Sequence, residues 1–255
     1  MQIKVKNRGF ITQLINFEKY ENIDEFANLE KVDFIEILGN SVPLYGKYFS
    51  SLKQQSLLTD LTMKDIDIWK SFRSNYRNEI NKAESEGVTV YQYDSIELQE
   101  NECLLEIFVN TYEKMFKSKG IVRKIPENML LSYIKNNFFV LTTAKNEDGE
   151  MIVFHSYVTD WKNQTKLWQS CSLFRESEDN KYRNYIGRVN KFLHWKDIEY
   201  WKSVNINTLD WGGVDFKEEK GISSFKQGFG GELVTYYNIN IANSFRAKLY
   251  RKMRC

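Results

Sequence analysis

Between Asn137 and Phe174 the chain carries three β-branched and aromatic runs, NFFVLTTA, EMIVFHSYVTDW and KLWQSCSLF, separated only by the turn-like stretches NEDG and KNQT. Connections that short make hairpins rather than crossovers, so the three runs predict an antiparallel meander. A polar run, RESEDNKYRN, then leads into a helix expected from about Tyr185 to Lys202, followed by a strand NTLDWGG, a short helix KGISSF and a strand ELVTYYNINI. KLYRKM is read as a last strand closing the sheet.

The region before the meander is mixed. VDFIEILG and SLLTDLT read as strands, and PLYGKYFSSLKQQ as a turn or short helix. Ile66, Trp69, Phe72, Tyr76, Ile80 and Ala83 recur at steps of three and four, which predicts one continuous amphipathic helix. Thr62 with Asp65 resembles its capping box, and Gly87 is placed to end it. Arg73, Arg77 and Asn81 form a polar stripe along it. VTVYQY predicts a strand, and ECLLEIFVNTYEKMFKSKG and ENMLLSYIKN two further helices.

Composition excludes several classes. A formal net charge of +2 is not that of a bulk-charge nucleic-acid binder, so no DNA partner is expected, and two prolines leave no Pro-rich linker. No run approaches the roughly 18 apolar residues of a membrane span. The start lacks the apolar core and cleavage site of a secretory signal, which predicts a cytoplasmic protein. Cys103, Cys171 and Cys255 lie far apart, with neither disulfide-framework nor zinc-ligand spacing, so reduced thiols and no metal are expected. Cys171 has no adjacent base in sequence and reads as a small buried residue rather than an acyl carrier.

FKQGFGGELVTYY, from Phe225, resists the common phosphate motifs. Lys226 precedes the glycines where a Walker loop needs it after them, and a strand follows where a dinucleotide fingerprint needs a helix. Taken in order, SFRSNYRNEINKAESEGVTV, LDWGGV and FKQGFGGELV resemble the signature stretches of the Fem-like branch of the GNAT acyltransferases. This branch includes peptidyltransferases of cell-wall synthesis and acyltransferases of nucleotide-linked amino sugars. The likeness runs from about Leu57 to Tyr237.

The resemblance implies an α/β (α+β) fold with a mixed, mostly antiparallel GNAT-like sheet flanked by helices. It divides the chain into a degenerate GNAT-like half, 1–119, and an acyl-transfer half, 120–255. The activity implied is transfer of an acyl group from acyl-CoA, acetyl-CoA or a related short thioester, to the amine of a nucleotide-linked amino sugar for surface glycan synthesis. The alternatives are an aminoacyl-tRNA-dependent peptidyltransferase acting on a cell-wall precursor, the one reading with tRNA as partner, and a catalytically silent GNAT-like binding module. The absence of a second full-sized domain and of a helical arm favours the first.

Lys226 matches the family lysine that points into the transfer site, and chemistry agrees: a fixed ammonium stabilises the oxyanion formed when an amine attacks a thioester. Gly228, Gly230 and Gly231 would let the backbone approach the substrate. His155, inside VFHSYV, is a candidate base because histidine titrates near neutral pH, with a core histidine as the competing role. Asp210 matches the Asp of the family turn and could orient Lys226 or take a proton, against an ordinary turn-forming role. His194 is assigned to packing.

For coenzyme A, the family's pyrophosphate pattern falls on NKYRNYIGR, with Gly187 as its final small residue, Arg183 and Arg188 adding charge, and Tyr185 where a glycine belongs. Arg73, Arg77 and Lys82 are candidates for the acceptor's diphosphate, against a plain solvated helix face.

Overall fold

The computed structural model describes residues 2–7, 11–17, 32–176 and 178–252. By packing the chain divides into two units, residues 1–56 with 233–255, and residues 57–232. The halves 1–119 and 120–255 drawn on the family likeness are a different division and stay a proposal.

In the first unit, β1 (Gln2–Asn7), β2 (Ile11–Asn16), β3 (Phe34–Asn40), β10 (Glu232–Ala242) and the start of β4 (Phe49–Asp60) lie in the order β1-β2-β3-β10-β4. The β2–β3 pair is parallel, while β1–β2 and β3–β10 are antiparallel. Alternate apolar residues Leu14, Ile35, Ile37, Ile239 and Ile241 build its core.

KLYRKM is not a strand. It belongs to α8 (Phe245–Lys252), because the Ser244 hydroxyl accepts the Ala247 N–H at 3.1 Å and so caps a helix. Asp33 ties this corner together, accepting from Ser244 Oγ at 2.6 Å, Arg246 Nη2 at 2.5 Å and the Thr12 N–H at 2.9 Å. The Arg246 guanidinium holds its carboxyl well below the usual carboxylate range.

The second unit contains the predicted meander. β5 (Thr89–Tyr93), β6 (Phe139–Lys145), β7 (Met151–Thr159) and β8 (Gln164–Ser172) pair antiparallel in register, and β9 (Thr208–Val214) joins β8 in parallel, followed by the end of β4. The long helix α6 (Asn180–Ser203) buries Ile186, Val189, Leu193 and Trp201. It starts five residues before the expected position, capped by the Asp179 carboxylate on the Lys181 N–H. α4 (Glu102–Lys117) and α5 (Glu127–Lys135) form where periodicity placed them. α3 (Ser95–Glu100) went unread, although Asp94 and Glu97 make a full capping box before it.

The continuous helix expected from Ile66 to Ala83 is two helices, α1 (Asp65–Ser71) and α2 (Ser74–Ser85), with Phe72 and Arg73 extended between them. The cause is tertiary. The Arg73 N–H donates to Gly228 O at 2.9 Å and Ser71 Oγ to Phe229 O at 3.3 Å, so a distant loop competes for the turn. The Thr62–Asp65 capping box is absent: Thr62 donates to Asp60, and Lys64 stands at the cap position without a side-chain bond. Gly87, at φ +70°, ends α2 as expected. Ion pairs Glu79–Lys191 and Glu86–Arg188 bind α2 to α6. Among the described residues no helix is long and apolar enough to cross a membrane.

Candidate functional site

The parallel ladder between β8 and β9 is short. It joins Gln164, Thr165 and Lys166 to Thr208, Leu209 and Asp210, although β8 continues to Ser172 and β9 to Val214. At its last rung, Asp210 is nearly buried. Its Oδ1 accepts the Gly212 N–H at 2.8 Å, and its Oδ2 lies 3.5 Å from Lys166 Nζ. Gly212, at φ +73°, has no room for a Cβ, which would stand 2.8 Å from Leu167 O. The strands therefore touch there through backbone alone.

Lys226 reaches the same place from the last turn of α7 (Lys220–Gln227), where Nζ donates to Gly213 O at 2.9 Å. Burial pushes its ammonium down to about 8, with Lys166 acting in the same direction, while Asp210 and Glu219 oppose the shift. The structure thus brings together two of the residues singled out by sequence, Asp210 and Lys226, and adds Lys166. Lys166 carries no motif, and its alternation on a strand that pairs with Asp210 was the available signal.

The glycines after Lys226 serve contacts within the protein. A Cβ on Gly228 would meet the Tyr76 ring at 2.3 Å, one on Gly230 the Ser71 hydroxyl at 2.6 Å, and one on Gly231 the Leu58 carbonyl oxygen at 2.9 Å. Gly230 and Gly231 also take φ of +77° and +90°. The expectation that they approach a substrate is corrected: side chain and backbone of the same unit already occupy that space. Phe229, between them, is fully buried and stacks on Trp211 at 4.7 Å and edge-on to Phe72 at 5.2 Å and Tyr76 at 5.0 Å. This aromatic cluster holds the end of α7, and so Lys226, in place.

His155 does not face the site. It is 0% exposed, with Nδ1 2.6 Å from Asp197 Oδ2 and Nε2 2.7 Å from Asn190 Oδ1. Tyr157 donates to the same Asp197 oxygen at 2.7 Å. Both ring nitrogens are engaged inside the core, so the candidate base becomes a core histidine that locks β7 to α6. Its ring stacks on His194, centroids 3.8 Å apart and planes 21° from parallel. His194 is packed as expected, among Trp211, Phe225 and Phe229. Burial, with the charge of His155 beside it, pushes His194 well below the ordinary histidine range.

One ligand atom from each of His155, His194 and Asp197 falls within 4.8 Å of the others. Ring lone pairs lie in the ring plane, however, and two nearly parallel stacked rings do not converge on one ion.

The remaining candidates are scattered. Gly187 lies inside α6, where its N–H serves the helix, and a Cβ there would meet nothing, so neither a backbone cradle nor a close approach exists. Arg188 is committed to Glu86, Nη2 to Oε1 at 2.7 Å, and Arg183 lies in the first turn of α6. NKYRNYIGR, expected to hold the pyrophosphate where a helix begins, is helical throughout as part of α6. Arg77 donates to the Lys70 carbonyl at 3.3 Å and to Phe72 O, which terminates α1 rather than presenting a free fork. Arg73 lies over the Tyr76 ring at 6.0 Å and reaches Ser224 at 3.5 Å. Lys82 is exposed and about 140° round the helix from Arg77, so the three form no single cradle. Cys171 is buried, and burial pushes its thiol upward, away from reactivity.

The fold has solved counterparts. FemX matches over 100% of this chain and 86% of that one, with a TM-score of 0.65 and 15% identity. The chain shares the fold of FemX. L-PGS from Bacillus licheniformis matches over 99% and 84% at a TM-score of 0.56 and 13% identity. The C-terminal domain of a protein assigned as a lysylphosphatidylglycerol synthetase from Agrobacterium fabrum matches over 86% and 71% at 0.53 and 12%. No family model matches the sequence, and no curated protein does. The mixed, mostly antiparallel sheet flanked by helices that the resemblance implied is the fold observed.

Proposed function

We propose that the protein is an N-acyltransferase that moves an acyl group from an acyl-CoA thioester to the amine of a nucleotide-linked amino sugar by direct attack. The observation that carries this reading is the ammonium of Lys226, half-buried where the β8–β9 ladder ends, with its pKa lowered to about 8. The neutral amine adds to the thioester carbonyl, and charge builds on the carbonyl oxygen. Lys226, still mostly protonated at pH 7, stabilises that oxyanion. Collapse breaks the C–S bond, the amide forms, the nitrogen loses its proton, and the thiolate leaves as free thiol once protonated.

Asp210 is the carboxylate nearest this chemistry. With Oδ1 held by Gly212 and Oδ2 beside Lys166, its role is to fix the turn and balance the two lysines. His155 supports the scaffold from behind.

The test is thiol release from acetyl-CoA with a panel of nucleotide-linked amino sugars. Release that requires both the sugar and Lys226 supports the reading, and no release with any of them rejects it. A second reading, aminoacyl-tRNA-dependent transfer to a cell-wall precursor, draws support from the likeness to FemX and to the domain assigned as a lysylphosphatidylglycerol synthetase. Transfer of a radiolabelled amino acid from charged tRNA, with acyl-CoA inert, would replace the first reading by the second.

A further inference from the structure

Three cations gather at the far end of β8, outside every motif. Lys119 and Arg123 follow α4 and flank one aromatic ring, with Lys119 Nζ 4.8 Å and Arg123 Cζ 5.0 Å from the Phe116 centroid. Arg175 stands just past β8, in the short helical turn Leu173–Arg175, which packs against α4, and its charge acts on Lys119. Among the described residues none of the three side chains makes a hydrogen bond or an ion pair with a carboxylate. Cations placed together without such a partner repel one another, and a cation–π contact with Phe116 recovers little of that cost at an exposed position. Lys119 responds as a group in excess positive charge does: burial and then Arg175 and Arg123 push its ammonium down, and Glu219 alone opposes them. Glu219, at the start of α7, raises the pKa of both Lys119 and Lys226.

We infer that Lys119, Arg123 and Arg175 form a binding site for the diphosphate group of a substrate, seated over Phe116. A diphosphate supplies the missing charge, and the two arginines offer forked donors matched to its oxygens. The site replaces the cradle that NKYRNYIGR does not form. Both substrates of the proposed reaction carry this chemistry, coenzyme A in its pyrophosphate and the acceptor in its nucleoside diphosphate. The inference rests on the acyl-transfer reading only for the identity of the diphosphate carrier, since diphosphate binding can be measured without turnover.

The experiment is calorimetric titration of the full chain, at low and at physiological salt, with inorganic pyrophosphate, coenzyme A and uridine diphosphate. Variants are Arg123→Gln, Arg175→Gln and the triple Lys119→Gln/Arg123→Gln/Arg175→Gln, with Lys64→Gln as a control of equal charge change for the single variants, Lys4→Gln/Lys53→Gln/Lys64→Gln for the triple, and thermal melts to verify folding. All three positions are exposed, so the variants should fold.

Expected is pyrophosphate binding that weakens with salt, falls about tenfold or more in Arg123→Gln and disappears in the triple variant, while both lysine controls retain it. A parallel loss for coenzyme A assigns the site to the donor, and one for uridine diphosphate to the acceptor. No pyrophosphate binding by the wild-type chain overturns the inference, as does equal binding by the triple variant or a loss confined to pyrophosphate with both carriers unaffected. If the cluster binds as expected while no acyl transfer occurs, the site stands and the acyl-transfer reading fails.

Discussion

Gly228→Ala tests the packing that positions Lys226. Gly228 has φ −63° and ψ −19°, so alanine suits the backbone and by propensity alone should stabilise by roughly 0.5–1 kcal/mol. Against that, the new Cβ would sit 2.3 and 2.4 Å from two ring carbons of Tyr76 and 2.7 Å from its hydroxyl oxygen, well inside ordinary contact. The ring cannot swing away freely: Phe229 lies 5.0 Å and Phe225 5.8 Å from it, and its hydroxyl donates to Phe225 O at 3.3 Å. Overpacking of this kind costs about 1–3 kcal/mol, which leaves a net destabilisation of about 0–2.5 kcal/mol and a fall in Tm of up to about 10 °C for a chain of this size. Urea unfolding followed by tryptophan fluorescence and far-ultraviolet circular dichroism measures it. The decisive comparison is Gly228→Ala in a Tyr76→Ala background, where the overlap is gone and the substitution should be neutral or stabilising. An equal loss in both backgrounds would show that the Tyr76 ring is not what requires glycine.

Two charge changes should move Lys226 in opposite directions. Asp210→Asn removes a negative charge that raises its pKa, so the midpoint falls below about 8, and Lys166→Met removes a positive charge that lowers it, so the midpoint rises. Carbon-13 NMR of the lysine Cε signals reads both, and shifts of the same sign would refute the arrangement. His194 links stability to pH. Its folded pKa lies well below the unfolded value of 6.5, so the unfolded chain binds more protons in that interval and stability falls as pH drops below about 6.5. His194→Phe should flatten that part of the urea-midpoint profile, and a profile unchanged in slope would contradict the buried neutral ring.

By itself the sequence determined what depends on neighbours in the chain. The turns NEDG and KNQT and the β-branched runs beside them lead to β6, β7 and β8, because hairpin connections leave those strands one way to pair. Gly87 ends α2 because a positive φ is needed there, and the order of SFRSNYRNEINKAESEGVTV, LDWGGV and FKQGFGGELV pointed to the fold.

Tertiary structure decided whatever depends on partners far along the chain. The Ile66–Ala83 periodicity is genuine, yet the helix breaks at Arg73 because its N–H bonds Gly228. Gly187 matches the end of a pyrophosphate pattern, yet α6 begins seven residues before it and keeps its N–H inside the helix. His155 has the chemistry of a base, but Asp197 and Asn190 occupy both of its nitrogens. Lys119, Arg123 and Arg175 lie in no shared pattern, and only folding sets Lys119 and Arg123 over the Phe116 ring and packs the Arg175 turn against α4. Local hydrogen-bond and steric preferences are written in adjacent residues, whereas the burial and company of a charged side chain are set by what the fold packs against it.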